Sequence, residues 1–142
     1  MKLIITTIAV TIGMAMAQPD ASTYITCQAC HGADGKGLQL GPNLKMAPSL
    51  IGSELVTGKP ELLALIILKG IQKEGAAYAG LMAGMEAMFT DDQKLADVMT
   101  YVRTGFGNTA EPVTAEQAKS YREQWADIKA PVTRAKLSEL AK

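Results

Sequence analysis

The chain contains two cysteines and one histidine, and all three fall within Cys27-Gln28-Ala29-Cys30-His31. Two thiols three positions apart on a turn of helix can reach both vinyl groups along one edge of a haem and form thioethers. The next residue then brings an imidazole beneath the iron. Three other chemistries share part of this pattern. A Cys27–Cys30 disulfide is geometrically open in an oxidising compartment, but so short a loop constrains the unfolded chain little. A dithiol redox pair of the thioredoxin kind expects a βαβ context, and no strand pattern precedes Cys27. A structural zinc ion expects four ligands, mostly Cys and His, whereas this chain offers three, all adjacent. The pentapeptide therefore points to a covalently attached haem c.

The same counts limit stoichiometry and ligation. One motif implies one haem. With His31 committed, no second histidine remains for the other face of the iron, which excludes bis-histidine ligation within the chain. A methionine thioether is the remaining soft ligand, one that favours reduced iron and raises the potential. A lysine or an open position are the alternatives. Beyond the N-terminal segment the methionines are Met46, Met82, Met85, Met88 and Met99.

Bulk properties narrow the class further. A length of 142 residues suits one domain with a tail. Equal numbers of basic and acidic residues give zero formal charge, which speaks against nucleic acid as a partner. Hydrophobic residues make up 48% of the chain, enough for a core rather than disorder. One Trp and two Phe are few, so an aromatic core is not expected and a planar cofactor could fill the gap. Lys2, the apolar residues 3–10 and the Ala15-Met16-Ala17 site form the pattern of a secretory signal peptide. Its apolar run is short of the roughly 20 residues that span a bilayer. Cleavage after Ala17 is expected, with a periplasmic or otherwise exported product and no stable membrane insertion. Losing Lys2 and no acid would leave one excess negative charge.

The elements that must position the motif are legible in outline. Residues 20–30 are expected to form a short helix leading into it. Residues 32–41 contain four glycines and are read as loop. Pro60 and Glu61 open a helix whose residues 62–68 are nearly all apolar, with Gly70 as its stop. Both of its faces are expected to be buried. Thr90-Asp91-Asp92-Gln93 matches a capping box with Thr90 as N-cap. Leu95, Val98, Met99 and Val102 follow at helical spacing, and Gly105 ends the run. Met99 is therefore read as core, and Tyr101 as packing toward the first helix. Thr114-Ala115-Glu116-Gln117 is a second capping box, opening a polar helix to about Lys129 before Pro131. Residues 133–141 form one more short helix. This C-terminal stretch reads as an extension docked by Tyr121 and Trp125, or as a partner-docking arm.

Several blocks together carry a family resemblance. They are Tyr24-x-x-Cys27-x-x-Cys30-His31-Gly32-Ala33-Asp34-Gly35-Lys36-Gly37, Ala47-Pro48-Ser49-Leu50-Ile51-Gly52-Ser53 and Tyr78-Ala79-Gly80-Leu81-Met82. The last is Ala96-Asp97-Val98-Met99-Thr100-Tyr101-Val102-Arg103 with Gly105-Phe106-Gly107-Asn108. In these blocks the chain resembles a class I cytochrome c, most closely the single-haem domains that accompany periplasmic dehydrogenases. The resemblance implies an all-α fold of three to five helices around one covalent haem, with a C-terminal helical extension. It divides the chain into a signal peptide at 1–17, a haem domain at 18–110 and the extension at 111–142. It implies that a proline carbonyl orients the proximal imidazole: Pro48 is preferred, and Pro42 competes. It implies a sixth ligand in a Tyr-x-x-x-Met setting, which favours Met82 over Met85, with Ala83 where the family has proline.

The cofactor-binding set is thus Cys27, Cys30, His31, Pro48 and Met82, with His31 and Met82 on the metal. The implied role is an electron carrier rather than an enzyme in its own right. Its partners would be redox proteins: a periplasmic dehydrogenase and a terminal oxidase or reductase. The rival reading is a haem with an open sixth position, acting as a ligand sensor or peroxidase. A peroxidase would want a distal histidine, which the chain lacks.

Overall fold

The structure is a computed structural model that describes residues 19–73 and 78–142. The expected signal peptide lies outside the described residues. Among the described residues no helix is long and apolar enough to cross a membrane.

Asp20 caps a 3-10 turn, Ala21–Tyr24, by accepting from the Ser22 amide. The turn runs directly into α1, Ile25–His31, which carries the whole motif. Gly32 ends α1 at φ 74°, a conformation that suits glycine. The glycine-rich stretch that follows is not loop throughout. Gln39–Gly41 (β1) pairs antiparallel with Leu44–Lys45 (β2), so its last residues belong to a small hairpin with Pro42 in the turn. A one-turn helix α2, Glu54–Thr57, leads to α3, Pro60–Lys69. Pro60 sits in the first turn of α3, and Gly70 closes it at φ 85°. Gly70–Ile71 (β3) then pairs antiparallel with Met82–Ala83 (β4).

The next helix, α4, spans Asp92–Thr104. Its N-cap is Asp91 rather than Thr90: the Asp91 carboxylate accepts from the Lys94 amide at 3.0 Å. An ionised acceptor holds the helix start better than a hydroxyl. The expected partner, Gln93, is spent elsewhere, donating to Asp97 one turn on at 2.7 Å. Leu95, Val98, Met99 and Val102 are all buried, and Gly105 is the C-cap.

Aromatic residues are few, yet three of them are gathered into one cluster. Tyr24 stacks on Tyr101 with centroids 5.3 Å apart, and Phe106 meets both rings edge-on at 5.1 and 5.6 Å. The turn before α1 is thereby locked across α4. Gly35 lies beneath Phe106, where an added Cβ would come within 2.9 Å of the ring.

The C-terminal stretch opens as expected with a complete capping box at Thr114 and Gln117, starting α5, Ala115–Gln124. This helix stops well before Lys129. Trp125 turns inward there, and its indole N–H donates to the Glu61 carbonyl at 2.8 Å, near the start of α3. Val132 then joins Ile71 through a parallel bridge. The last helix, α6, is Arg134–Leu140, capped by Thr133.

Both faces of α3 are buried. Leu63, Ala64, Ile67 and Leu68 pack with Tyr24, α4, Val113 and Ala118. Leu62, Leu65 and Ile66 pack with Ile71, Trp125, Val132 and Leu137. Each fully buried side chain of this size contributes about 1.5–3 kcal/mol. The uninterrupted apolar run of α3 is explained by these two clusters, and the C-terminal stretch contributes to both, through Val113 and Ala118 in one and Trp125, Val132 and Leu137 in the other.

Candidate functional site

A cleft of about 280 Å³ opens beside α1, α3 and the segment before α4. Cys27, Cys30, His31, Pro48, Met82 and Met85 all line it, with Leu63, Ile67 and Val98 among its apolar walls. All five sequence-derived site residues are therefore brought to one cavity, together with Met85.

The histidine side is built from hydrogen bonds. His31 is buried, and its Nδ1 lies 3.1 Å from the Pro48 carbonyl oxygen. A carbonyl can only accept, so Nδ1 carries the proton and Nε2 keeps its lone pair. Burial pushes the imidazole pKa down, and the Pro48 bond opposes that shift. Pro42, in the β1–β2 turn, makes no such bond. The Pro48 segment is itself held. The Leu50 amide donates to the Gly35 carbonyl at 2.8 Å. Asn108 donates to the carbonyls of Leu50 and Val102 at 3.1 and 2.8 Å and accepts from the Gly52 amide at 2.9 Å.

Both cysteines are unpaired and partly buried. Burial, and secondarily its neighbour Cys30, pushes the Cys27 thiol up to about 11. A redox-active dithiol requires the opposite shift, toward thiolate at neutral pH. An uncharged thioether suits this apolar seat.

The methionine side is built from backbone pairing. Met82 is in register with Ile71 in the β3–β4 ladder. The Met85 amide donates to the Ile67 carbonyl at 2.8 Å. On the other flank Ala79 and Gly80 donate to the carbonyls of Lys45 and Met46. Met99 is fully buried in the core, as its place on the apolar face of α4 suggests.

Sequence reasoning assigned no role to three residues that hold the cleft together. Asn108 is one. Arg103 is a second: it donates from Nη1 to the carbonyls of Val56 and Gly58, and from Nε to that of Glu111. Lys69 is the third, with Nζ 2.7 Å from Glu86 Oε2. A charged residue closing an apolar run, or an Asn just past a helix, was the available signal. Both are common at ordinary helix ends.

The donor set fits a haem c: two thiols spaced for one porphyrin edge, an imidazole whose tautomer is fixed by the Pro48 carbonyl, thioethers on the same cleft, and apolar walls. Comparison with known proteins agrees. The family model described as Cytochrome c matches residues 21–106. The chain is 32% identical over 122 residues to the cytochrome c subunit of the quinone alcohol dehydrogenase of Gluconacetobacter polyoxogenes, covering 82% of this chain and 25% of that protein. It is 34% identical over 111 residues to the gluconate 2-dehydrogenase cytochrome c subunit of Pantoea cypripedii, covering 75% and 24%. It is 32% identical over 102 residues to the fructose dehydrogenase cytochrome subunit of Gluconobacter japonicus, covering 68% and 20%.

The chain belongs to the cytochrome c family, whose covalent haem c is its cofactor and whose business is electron transfer. Its relatives are cytochrome subunits of dehydrogenases, and the chain spans a quarter or less of their length.

Proposed function

We propose that this chain is an exported, single-haem electron carrier or electron-transfer subunit, relaying single electrons from a periplasmic dehydrogenase to a downstream oxidase or reductase. The observation that carries this reading is the convergence of Cys27, Cys30, His31 and the methionine segment on one cleft, with His31 Nδ1 engaged by the Pro48 carbonyl. Cys27 and Cys30 would hold the haem through thioethers, and His31 and Met82 would be its axial ligands. When bound, the haem supplies one-electron chemistry that needs no catalytic acid or base.

The chain's own residues do the rest. Pro48 fixes the ring plane and tautomer of His31, a contact that also tunes a ligand's basicity. Leu63, Ile67 and Val98 exclude water and keep the site's dielectric low. A thioether ligand on a short ladder can stay in place in both oxidation states, so little has to move when an electron arrives. In this reading residues 18–110 form the haem unit, and residues 111–142 form an extension that packs on both faces of α3, through Val113 and Ala118 on one and Trp125, Val132 and Leu137 on the other.

The relatives' names support a dehydrogenase as electron donor. The test is an absorption spectrum of oxidised and reduced protein produced with haem-attachment machinery and purified from the periplasm. A covalently retained haem with the weak long-wavelength iron–sulfur band is expected. Fast stoichiometric carbon monoxide binding to the native ferrous protein at neutral pH would favour the open-site sensor instead. A folded, colourless protein would overturn both.

A further inference from the structure

Lys69 stands at the end of α3, where seven apolar or small residues precede it, and its side chain is only 6% exposed. An ammonium so placed needs a partner. Its partner is Glu86, which comes from across the chain and keeps 45% of its side chain in solvent. Between these two charges the segment that carries Met82 and Met85, two of the three cleft methionines, is pressed onto α3. The β3–β4 ladder fixes Met82, and the Ile67 carbonyl fixes the Met85 amide. Gly84 lies so close that an added Cβ would sit 2.7 Å from the Leu68 carbonyl oxygen and 2.9 Å from Lys69 backbone.

We propose that the Lys69–Glu86 ion pair is a positioning device for the sixth ligand. It clamps residues 82–86 to the end of α3 and so keeps a methionine on the haem side of the cleft. This rests on the methionine-ligand reading above. It also gives a physical counterpart to Ala83. A proline there would stiffen the segment by restricting φ. Here the stiffness comes from a through-space clamp that brackets the methionines instead.

The two charges have unequal surroundings, which makes the clamp distinguishable from a generic surface pair. Removing Lys69 leaves a carboxylate that water can solvate, so the main loss is the anchor. Removing the charge of Glu86 strands a buried ammonium, which is the costlier error. The segment must then lift to hydrate Lys69, or the helix end must open.

The experiment uses the haem-loaded full chain and the variants K69L, K69R and E86Q. Leucine is chosen because it cannot itself ligate iron. The iron–sulfur band and Trp125 fluorescence are followed along one denaturant titration, together with carbon monoxide binding to the ferrous protein and hydrogen exchange at the Met85 amide. K69L is expected to lose the band at clearly lower denaturant than the Trp125 transition. Carbon monoxide binding and Met85 exchange should each quicken about tenfold, and more in E86Q. K69R should restore both toward wild type.

A K69L protein whose band, carbon monoxide rate and Met85 exchange match wild type overturns the positioning role alone. So does one whose band and Trp125 transitions shift together by the same amount, since that is plain loss of stability. A wild-type protein lacking the band overturns the methionine reading, and the proposal with it.

Discussion

The two sides of the cleft are held by different physics. On the histidine side, one hydrogen bond joins His31 to Pro48, and three more tie Asn108 to Leu50, Gly52 and Val102, all between neutral groups. On the methionine side, a two-residue ladder, the Met85 amide bond to the Ile67 carbonyl and one ion pair fasten a segment to the end of α3. Hydrogen bonds between neutral groups are short-ranged and insensitive to salt. The Lys69–Glu86 pair has one solvated partner, so it is the part of this hold that salt can reach. The difference bears on the ligands proposed above: His31 would be held by neutral bonds alone and the methionine partly by a charge pair, so the methionine would be the more salt-sensitive of the two.

The largest effect should come from the covalent anchors. Replacing Cys27 and Cys30 together by serine should abolish retention of haem on a denaturing gel, because His31 alone offers one reversible bond. Next, Asn108→Ala removes three hydrogen bonds and leaves the Leu50 and Val102 carbonyls and the Gly52 amide short of a partner. A loss of about 3 kcal/mol in denaturant unfolding is expected, with the iron–sulfur band persisting until global unfolding. That coincidence would separate the two sides cleanly, and early loss of the band in N108A would break the contrast.

The methionine side is sharpened by Met82→Ala against Met85→Ala. The first should erase the iron–sulfur band and lower the potential, while the second should retain the band. The reverse result would move the ligand to Met85. Smaller effects test the cover of α3. Trp125→Phe gives up the indole bond to the Glu61 carbonyl at about 1 kcal/mol. Thr114→Ala breaks a capping box at a similar or slightly smaller cost, also about 1 kcal/mol, read as a lower unfolding midpoint.

The motif was legible because its chemistry is local: three functional residues within five positions need no tertiary information. The helix of residues 60–69 was legible too, since Pro60 and Gly70 mark its ends and an unbroken apolar run demands burial on all sides. Where local signals competed, the reading slipped. Thr90 and Asp91 are both good caps, and the charged one wins. Nothing near Trp125 says that its indole finds Glu61, 64 positions away in the chain, so α5 ends earlier than its polar pattern suggests. The hairpin of β1 and β2 hides in a glycine-rich stretch that reads as loop. The bonds of Asn108 to Gly52 and Leu50 and the pairing of Lys69 with Glu86 join residues distant in sequence, and a single sequence carries no record of such pairings.

One helix has a further consequence. Because α3 is a shared wall, a chain clipped before Trp125 would bare Leu62, Leu65 and Ile66 as an oily stripe. Such a fragment should clump rather than persist as a smaller carrier. Any attempt to graft this haem unit onto another enzyme must therefore bring along the closing segment or repaint that stripe with polar side chains.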